Sequence, residues 1–195
     1  MKPVFIILIL VLLVSGCSKD GGGPTQKTAE ELVTEGWQAY AAKNYVKAAD
    51  NFLEALKLKS SLADAYNGSG WAQAKLNHLS VADTAFVLGL AKDPASMQMK
   101  AGLAFVYSAE KKYALSVQRT NEVLASDSAW AFSRDLSIGA SDLHLLLAEN
   151  YYAEGDFVSS LEQVRLLNSF FNADVTKATG RAELSAEIER LRTLV

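Results

Sequence analysis

Cysteine and histidine are scarce in this 195-residue chain. The single cysteine, Cys17, cannot form an intramolecular disulfide, so no covalent cross-link stabilises the fold. Only His78 and His144 are available as acid–base groups near neutral pH, and neither belongs to a metal-binding spacing. We expect His78 in a turn and His144 on a helix, and we expect no metal site and no cofactor.

An excess of basic charge is also lacking. Lys and Arg number 19 against 22 Asp and Glu, which gives a net charge of −3. Such a chain has little electrostatic reason to bind nucleic acid or an anionic lipid surface. The segment Gly68-Ser69-Gly70 lacks the Gly-x-Ser-x-Gly spacing of a nucleophile elbow, and no Gly-Lys-Ser/Thr follows the glycines at 21–23. We therefore expect a protein that is not an enzyme.

A hydrophobic run long enough to cross a bilayer as a helix is missing from the N-terminus. Lys2 precedes an apolar segment that extends only from Val4 to Val14. A spanning helix needs about 20 apolar residues. The shorter run with a basic residue before it is typical of a signal peptide, and we assign residues 1–16 to it.

The residues around the lone cysteine resemble a known signal for lipid attachment. Ser15, Gly16 and Cys17 resemble the box of bacterial lipoproteins, which implies cleavage before Cys17, acylation of its sulfur and attachment to a lipid bilayer of the cell envelope. The position after the cysteine is Asp in the inner-membrane lipoproteins of enteric bacteria that this box resembles, whereas here it is Ser18. The resemblance therefore implies the outer membrane, and the sequence does not decide between its periplasmic and its surface face. We expect residues 17–27 to comprise the lipidated cysteine and a flexible tether. The alternative is a secreted protein with a stray thiol.

The feature that the chain does have is an internal repeat. Gly36-Trp37 recurs as Gly70-Trp71, and Ala48 recurs as Ala82 at the same offset along the chain. A period of about 34 residues, which this offset matches, is typical of stacked helical hairpins. In the first unit, apolar residues three or four apart indicate two amphipathic helices, and Thr28 with Glu31 forms a capping box.

These residues resemble the tetratricopeptide repeat (TPR) family over about residues 29 to 168. The first unit carries the pattern of small and aromatic residues, and the second ends in Asp93-Pro94; the matching residues of the first unit are Tyr45, Ala48, Phe52 and Ala55. Later units depart from the pattern, with Ser116 and Ser160 at a small site and Thr120 and Val164 at an aromatic one.

The resemblance implies an all-α, right-handed superhelical solenoid of about four hairpins with a C-terminal capping helix. We place the repeats at 28–170, as units 28–62, 63–96, 97–128 and 141–170. The insert occupies 129–140 and the capping helix 179–195. Small residues are predicted where neighbouring helices approach closely, and a larger side chain there should cause strain; these repeat-packing residues are Gly36, Ala48, Gly70 and Ala82.

The insert between the third and fourth hairpins is apolar at alternate positions, including Trp130 and Phe132, with Arg134 between the apolar residues. A period of two predicts an extended segment with one apolar face that includes Leu136 and Ile138. Two placements would bury this face. The insert either wraps the outside of the third and fourth units or lies across the groove, where it would narrow the site or act as a gate that a partner displaces.

In the family that this chain resembles, the first helix of each hairpin lines a concave groove that binds a partner. The corresponding residues here are Trp37, Tyr40, Trp71, Lys75, Phe105, Glu149 and Tyr152. Exposed aromatic side chains favour protein interfaces, so we expect a protein partner. The alternative is a glycan, a peptidoglycan fragment or another small ligand stacked on Trp37 and Trp71. The aromatic residues could equally pack against neighbouring helices, and Phe105 favours such packing.

Overall fold

A computed structural model describes residues 26–194 of the chain. The signal peptide, the acylated Cys17 and most of the tether, which we predicted from sequence, lie outside the described residues. Within the described range the chain forms nine α-helices. They are α1 Ala29–Ala41, α2 Tyr45–Leu58, α3 Ala63–Lys75, α4 Leu79–Leu90, α5 Met97–Ala109, α6 Tyr113–Ser126, α7 Ala140–Glu154, α8 Phe157–Leu167 and α9 Ala178–Arg192.

The helices pack as four consecutive hairpins, each with a first helix (α1, α3, α5, α7) and a second helix (α2, α4, α6, α8). Each hairpin contacts the next, and the first helices also contact one another along the array. Helix α9 packs on α7 and α8, where it buries the predicted stripe of Leu184, Ile188 and Leu191. The predicted helical solenoid with a terminal capping helix is confirmed.

The start of the array follows the predicted local chemistry. Thr28 accepts a hydrogen bond from the Glu31 backbone N–H, and the Glu31 carboxylate accepts one from the Thr28 backbone N–H. This reciprocal capping box begins α1. The two histidines lie where we expected them: His78 precedes α4 in a turn, and His144 lies on α7 with its Nδ1 2.9 Å from the Gln163 Oε1.

Each hairpin turn repeats the same backbone conformation. Lys43, Asn77 and Lys111 have φ near +60°, and Gly155 has φ +83°. The first three follow one another at the spacing of the repeat, so the repeat is visible in the backbone as well as in the side chains. Only the fourth unit places glycine, the residue that adopts this conformation without a steric penalty, at the turn.

The glycines of the first two units make room for phenylalanine rings. A Cβ atom on Gly36 would lie 2.6 Å from the Phe52 ring, and one on Gly70 would lie 2.5 Å from the Phe86 ring. The rings also fill the space over two glycines of the following hairpins, Gly68 and Gly102. Each buried ring therefore sits between two adjacent first helices and joins one repeat to the next.

In the third and fourth units, the residues that depart from the family pattern differ in size from those of the first two units, and the first-helix and second-helix residues change in opposite directions. At one fixed separation along the chain, Gly36 pairs with Phe52 and Gly70 with Phe86, whereas the later units pair Ala104 with Thr120 and Ala148 with Val164. Ser116 and Ser160 each donate a hydrogen bond of 2.7 Å to a backbone carbonyl of the first helix, at Ala104 and Ala148 respectively. A smaller second-helix residue thus accompanies a larger first-helix residue, and the buried hydroxyls are satisfied.

Candidate binding groove

The seven predicted groove residues all lie on first helices. Trp37 and Tyr40 are on α1, Trp71 and Lys75 on α3, Phe105 on α5, and Glu149 and Tyr152 on α7. Because these helices contact one another in sequence, the seven residues follow a single row along the array. We name this row the groove surface.

The insert, which in the structure is residues 127–139 between α6 and α7, covers one end of the groove surface. Phe132 is 0% exposed, and its ring stacks on Trp71 at a centroid distance of 4.4 Å and an interplanar angle of 21°. Trp37 and Tyr40 meet the same ring edge-on, each at 6.2 Å. Three aromatic residues from two repeats thus surround one side chain of the insert.

Arg134 places a charge beside this aromatic cluster. Its guanidinium lies 4.8 Å from the centroid of the Trp37 ring, and one of its nitrogens is 3.4 Å from the Asp64 carboxylate. The same carboxylate oxygen accepts a hydrogen bond of 3.0 Å from the Trp37 indole N–H. A cation–π contact and an ion pair therefore hold the arginine at one place.

Two further polar contacts position the insert. Lys75 lies 3.7 Å from the Asp135 carboxylate. Gln98 donates a hydrogen bond of 2.7 Å to the Ser133 hydroxyl and accepts one of 2.8 Å from Asn67. The insert is therefore bound to α1, α3 and α5 through an aromatic ring, a cation, an anion and a hydroxyl, and Trp37 contacts both the ring and the cation.

The insert is a closed loop and not the extended segment that we predicted. The Phe132 N–H donates to the Ile138 carbonyl at 2.9 Å, and turns at Asp135 bring these two residues together. Trp130, Phe132 and Ile138 are buried, but Leu136 is 79% exposed at the tip. The period-two prediction is therefore wrong at Leu136, because the chain reverses direction there. Placement outside the third and fourth units is also wrong, since the loop reaches α1.

Helix α9 covers the other end of the groove surface. Arg192 forms an ion pair of 2.8 Å with Glu149. The Tyr152 hydroxyl donates a hydrogen bond of 3.2 Å to the Arg181 carbonyl. Each end of the row thus contacts a segment of the chain itself, the insert at one end and α9 at the other.

The tryptophans of the groove surface are packed and not exposed. Trp37 is 6% and Trp71 is 3% exposed, and Tyr40 is also buried. Phe105 is half-buried, with its ring 6.1 Å from that of Trp71. Of the two alternatives for Trp37 and Trp71, an exposed aromatic row or packing, this conformation has packing, because Phe132 covers Trp71 and Arg134 covers Trp37. A sugar could stack on either indole only after the insert had left.

Burial under the insert leaves two groove donors without a partner. Within residues 26–194, neither the Tyr40 hydroxyl nor the Trp71 indole N–H has a hydrogen-bond partner. Burial, reinforced by the Asp135 carboxylate and the Tyr45 hydroxyl nearby, raises the pKa of Tyr40 well above its ordinary value. The insert therefore fills the apolar space of the groove better than it satisfies the polar groups.

Acidification should loosen the insert. The Ser137 hydroxyl and backbone N–H donate to Asp135 and, together with Lys75 and Lys43, hold the pKa of that carboxyl below its usual range. A depressed folded-state pKa means that the carboxylate stabilises docking above its unfolded pKa of about 3.9 and that this contribution is lost as pH falls through the folded value.

We expect acrylamide to quench tryptophan fluorescence more strongly as pH falls below about 4, the ordinary range of an aspartate pKa. The control is Asp135→Asn, which should be more accessible to quencher at neutral pH and lose the part of the pH response that Asp135 causes. All three tryptophans of the chain lie at the groove surface or in the insert, so the signal is local. An identical pH response in both proteins would contradict the role of Asp135.

Sequence reasoning missed Asp64 and Gln98, although a signal for both was present. They occupy the same position in consecutive repeats, and each precedes a predicted groove aromatic, Trp71 or Phe105, by about two helical turns. A separation of two turns puts both members of each pair on one helix face. Extending the repeat register to polar residues would have found them.

Open clefts remain on both sides of the insert. One of about 370 Å³ lies between α1 and the insert and includes Trp37, Ala41 and Arg134. Another of about 300 Å³ includes Phe105, Lys75 and Ile138.

Between residues 26 and 194 no three His, Cys, Asp or Glu side chains are grouped to hold a metal ion. None of the helices in that range combines the length and apolarity that a bilayer span requires.

The four stacked helical hairpins and the capping helix of residues 26–194 form a TPR-like fold. Among solved structures, the chain is similar to MamA residues 41 to the end from Desulfovibrio magneticus RS-1, with a TM-score of 0.65 and 16% identity over 86% of this chain and 97% of that one. A TPR protein from Parabacteroides merdae gives a TM-score of 0.59 and 12% identity over 85% of this chain and 60% of that one.

The fold also occurs within a larger assembly. A chain of the APC/C hetero-tetramer Cut9–Hcn1 matches with a TM-score of 0.61 and 15% identity, over 84% of this chain and 30% of that one. No protein-family model and no curated protein matches the sequence. At this level of identity the likeness shows a TPR-like fold, and function has to be argued from the groove surface itself.

Proposed function

We propose that this protein is a lipid-anchored scaffold of the bacterial cell envelope that binds a segment of another protein on its groove surface. The observation that carries the binding role is the row of aromatic and charged residues on consecutive first helices, which holds a loop of the chain itself through Phe132 and Arg134. A surface that binds one polypeptide segment by a buried aromatic and a paired cation has the chemistry to bind another.

The anchor is supported by sequence alone. Cys17 follows Ser15 and Gly16 after a short apolar run, as in bacterial lipoproteins. Residues 18–27 separate Cys17 from Thr28, and a flexible tether of that length would span roughly 16–19 Å. Such a tether would keep the solenoid close to the membrane, and Ser18 favours the outer one.

Cys17→Ser should release the protein from the membrane fraction. The change removes the thiol that the lipid would modify, and the remaining apolar run is too short to span a bilayer stably. Cells expressing either form would be fractionated and the membranes washed with salt and carbonate. Thr25→Ser, which leaves both the box and the cysteine intact, is the control. A Cys17→Ser protein that stays with the washed membranes would exclude the lipid anchor.

Partner binding can be tested without disturbing the buried aromatics. A photo-crosslinking residue at Ala41, which is exposed in the cleft beside Trp37 and Arg134, should capture a partner protein in cells. The control position is Leu53, which is exposed on the second helix α2. Adducts formed from position 41 and not from position 53 would support the groove. Adducts formed from position 53 alone would exclude it.

A further inference from the structure

We infer that the insert is a built-in competitor and that the partner binds through a segment with the same chemistry, an aromatic side chain followed two residues later by an arginine. The inference rests on the proposed function and names the partner's recognition element. Its basis is that Phe132 and Arg134 occupy two adjacent subsites that share Trp37, and both subsites are made by residues of the helical repeats and not by the insert.

The aromatic subsite is fully enclosed. Trp71 stacks on the Phe132 ring and Trp37 and Tyr40 pack against its edges, so the insert ring has no exposed surface. Stacked and edge-on contacts favour an aromatic ring over an aliphatic side chain of similar volume. This subsite therefore selects a phenylalanine-like group.

The cation subsite lies beside it and is open to solvent. Asp64 supplies the charge, the Trp37 ring supplies the platform, and the Arg134 side chain between them is 44% exposed. A planar guanidinium can stack on the indole and reach the carboxylate at once, which an ammonium group does less well. Because this end is accessible, an incoming arginine can reach Asp64 before the aromatic subsite opens.

The insert is an incomplete ligand for this site. It buries the Tyr40 hydroxyl and the Trp71 indole N–H without accepting a hydrogen bond from either, and the buried Asn67 Oδ1 also has no donor among residues 26–194. A partner segment whose backbone carbonyl groups accepted hydrogen bonds from the Tyr40 hydroxyl and the Trp71 indole N–H would satisfy these two donors. The insert competes because it is tethered, which gives it a high effective concentration at the site. A partner in solution needs the better contacts to displace it.

The test uses a fluorescent peptide with the sequence of residues 127–139 and measures its binding to the full chain by anisotropy. The wild-type protein should bind weakly, because its own insert occupies the site. The Phe132→Ala protein should bind at least roughly tenfold more tightly. Adding Asp64→Asn to that protein, or placing Phe132→Ala in the peptide, should reverse the gain.

Each outcome decides the inference. A folded Phe132→Ala protein that binds the peptide no more tightly than wild type would overturn it, as would a peptide whose binding ignores the loss of its phenylalanine. If Phe132→Ala does not fold, the double variant Arg134→Ala with Asp135→Ala, which changes only the partly exposed contacts, should show the same direction of change. A wild-type dimer that becomes a monomer on loss of Phe132 would make a second copy the occupant and overturn the inference.

The result separates this inference from the proposed function. Failure of peptide binding together with protein adducts at position 41 would leave the scaffold standing and remove the built-in competitor. Peptide binding without adducts at position 41 would establish the two subsites and count against a protein partner in cells.

Discussion

Gly70→Ala is expected to destabilise the protein by about 1–3 kcal/mol, which is the usual cost of overpacking a core. The added Cβ would lie 2.5 Å from the Phe86 ring, well inside van der Waals contact. The ring cannot withdraw into free space, because its other side fills the space above Gly102. The free energy of unfolding would be measured in urea, with helix content followed by circular dichroism.

The fourth repeat suggests the matched compensating change. There an alanine, Ala148, stands at the same separation from Val164 as Gly70 does from Phe86. Phe86→Val alone should cost about 2–4 kcal/mol by leaving a cavity. The double variant of Gly70→Ala with Phe86→Val should be more stable than the sum of the two losses predicts, with a coupling of about 0.5–3 kcal/mol. Strict additivity would mean that the two residues do not share one packing site.

This size exchange shows what the sequence could predict about the fold. The period that relates Gly36 to Gly70 is a local pattern, and in the structure both glycines lie on first helices against a phenylalanine ring. From sequence alone, Thr120 and Val164 are only departures from the family pattern. Each is smaller than the phenylalanine of the first two units, and its partner on the preceding first helix is alanine and not glycine. The two changes compensate, because packing constrains the total volume of a pair and not either residue alone.

The position of the insert was harder to predict for a physical reason. Periodicity reports which side chains share a face of a regular element, but it does not say which surface of the protein covers that face. Trp130 and Phe132 correctly indicated that the segment needed burial. Nothing local showed that Phe132 would reach Trp71, which lies almost two repeats earlier in the chain. The turns around Asp135, which expose Leu136, also interrupt the alternation that had suggested an extended strand.

Phe132→Ala is the second change from which we expect a large effect, and we expect the effect to be local. Replacing a fully buried phenylalanine by alanine costs about 3–5 kcal/mol when the surroundings cannot relax. Here the insert connects two complete hairpins, and the helices retain their own packing through Phe52, Phe86 and Val164. The chain can therefore avoid most of that cost by releasing the loop. The loss of global stability should be capped near the free energy of undocking the loop.

Leu136→Ala provides the matched control, because Leu136 belongs to the same loop but is 79% exposed. A surface change of this kind should alter stability by no more than about 0.5 kcal/mol. We expect Phe132→Ala, and not Leu136→Ala, to accelerate tryptic cleavage after Arg134 and to increase acrylamide quenching of the tryptophans. Helix content should stay at the wild-type level in both proteins. If Phe132→Ala instead lost helix content without faster cleavage at Arg134 in the native state, the insert would be part of the structural core, and a partner could not displace it without unfolding the solenoid.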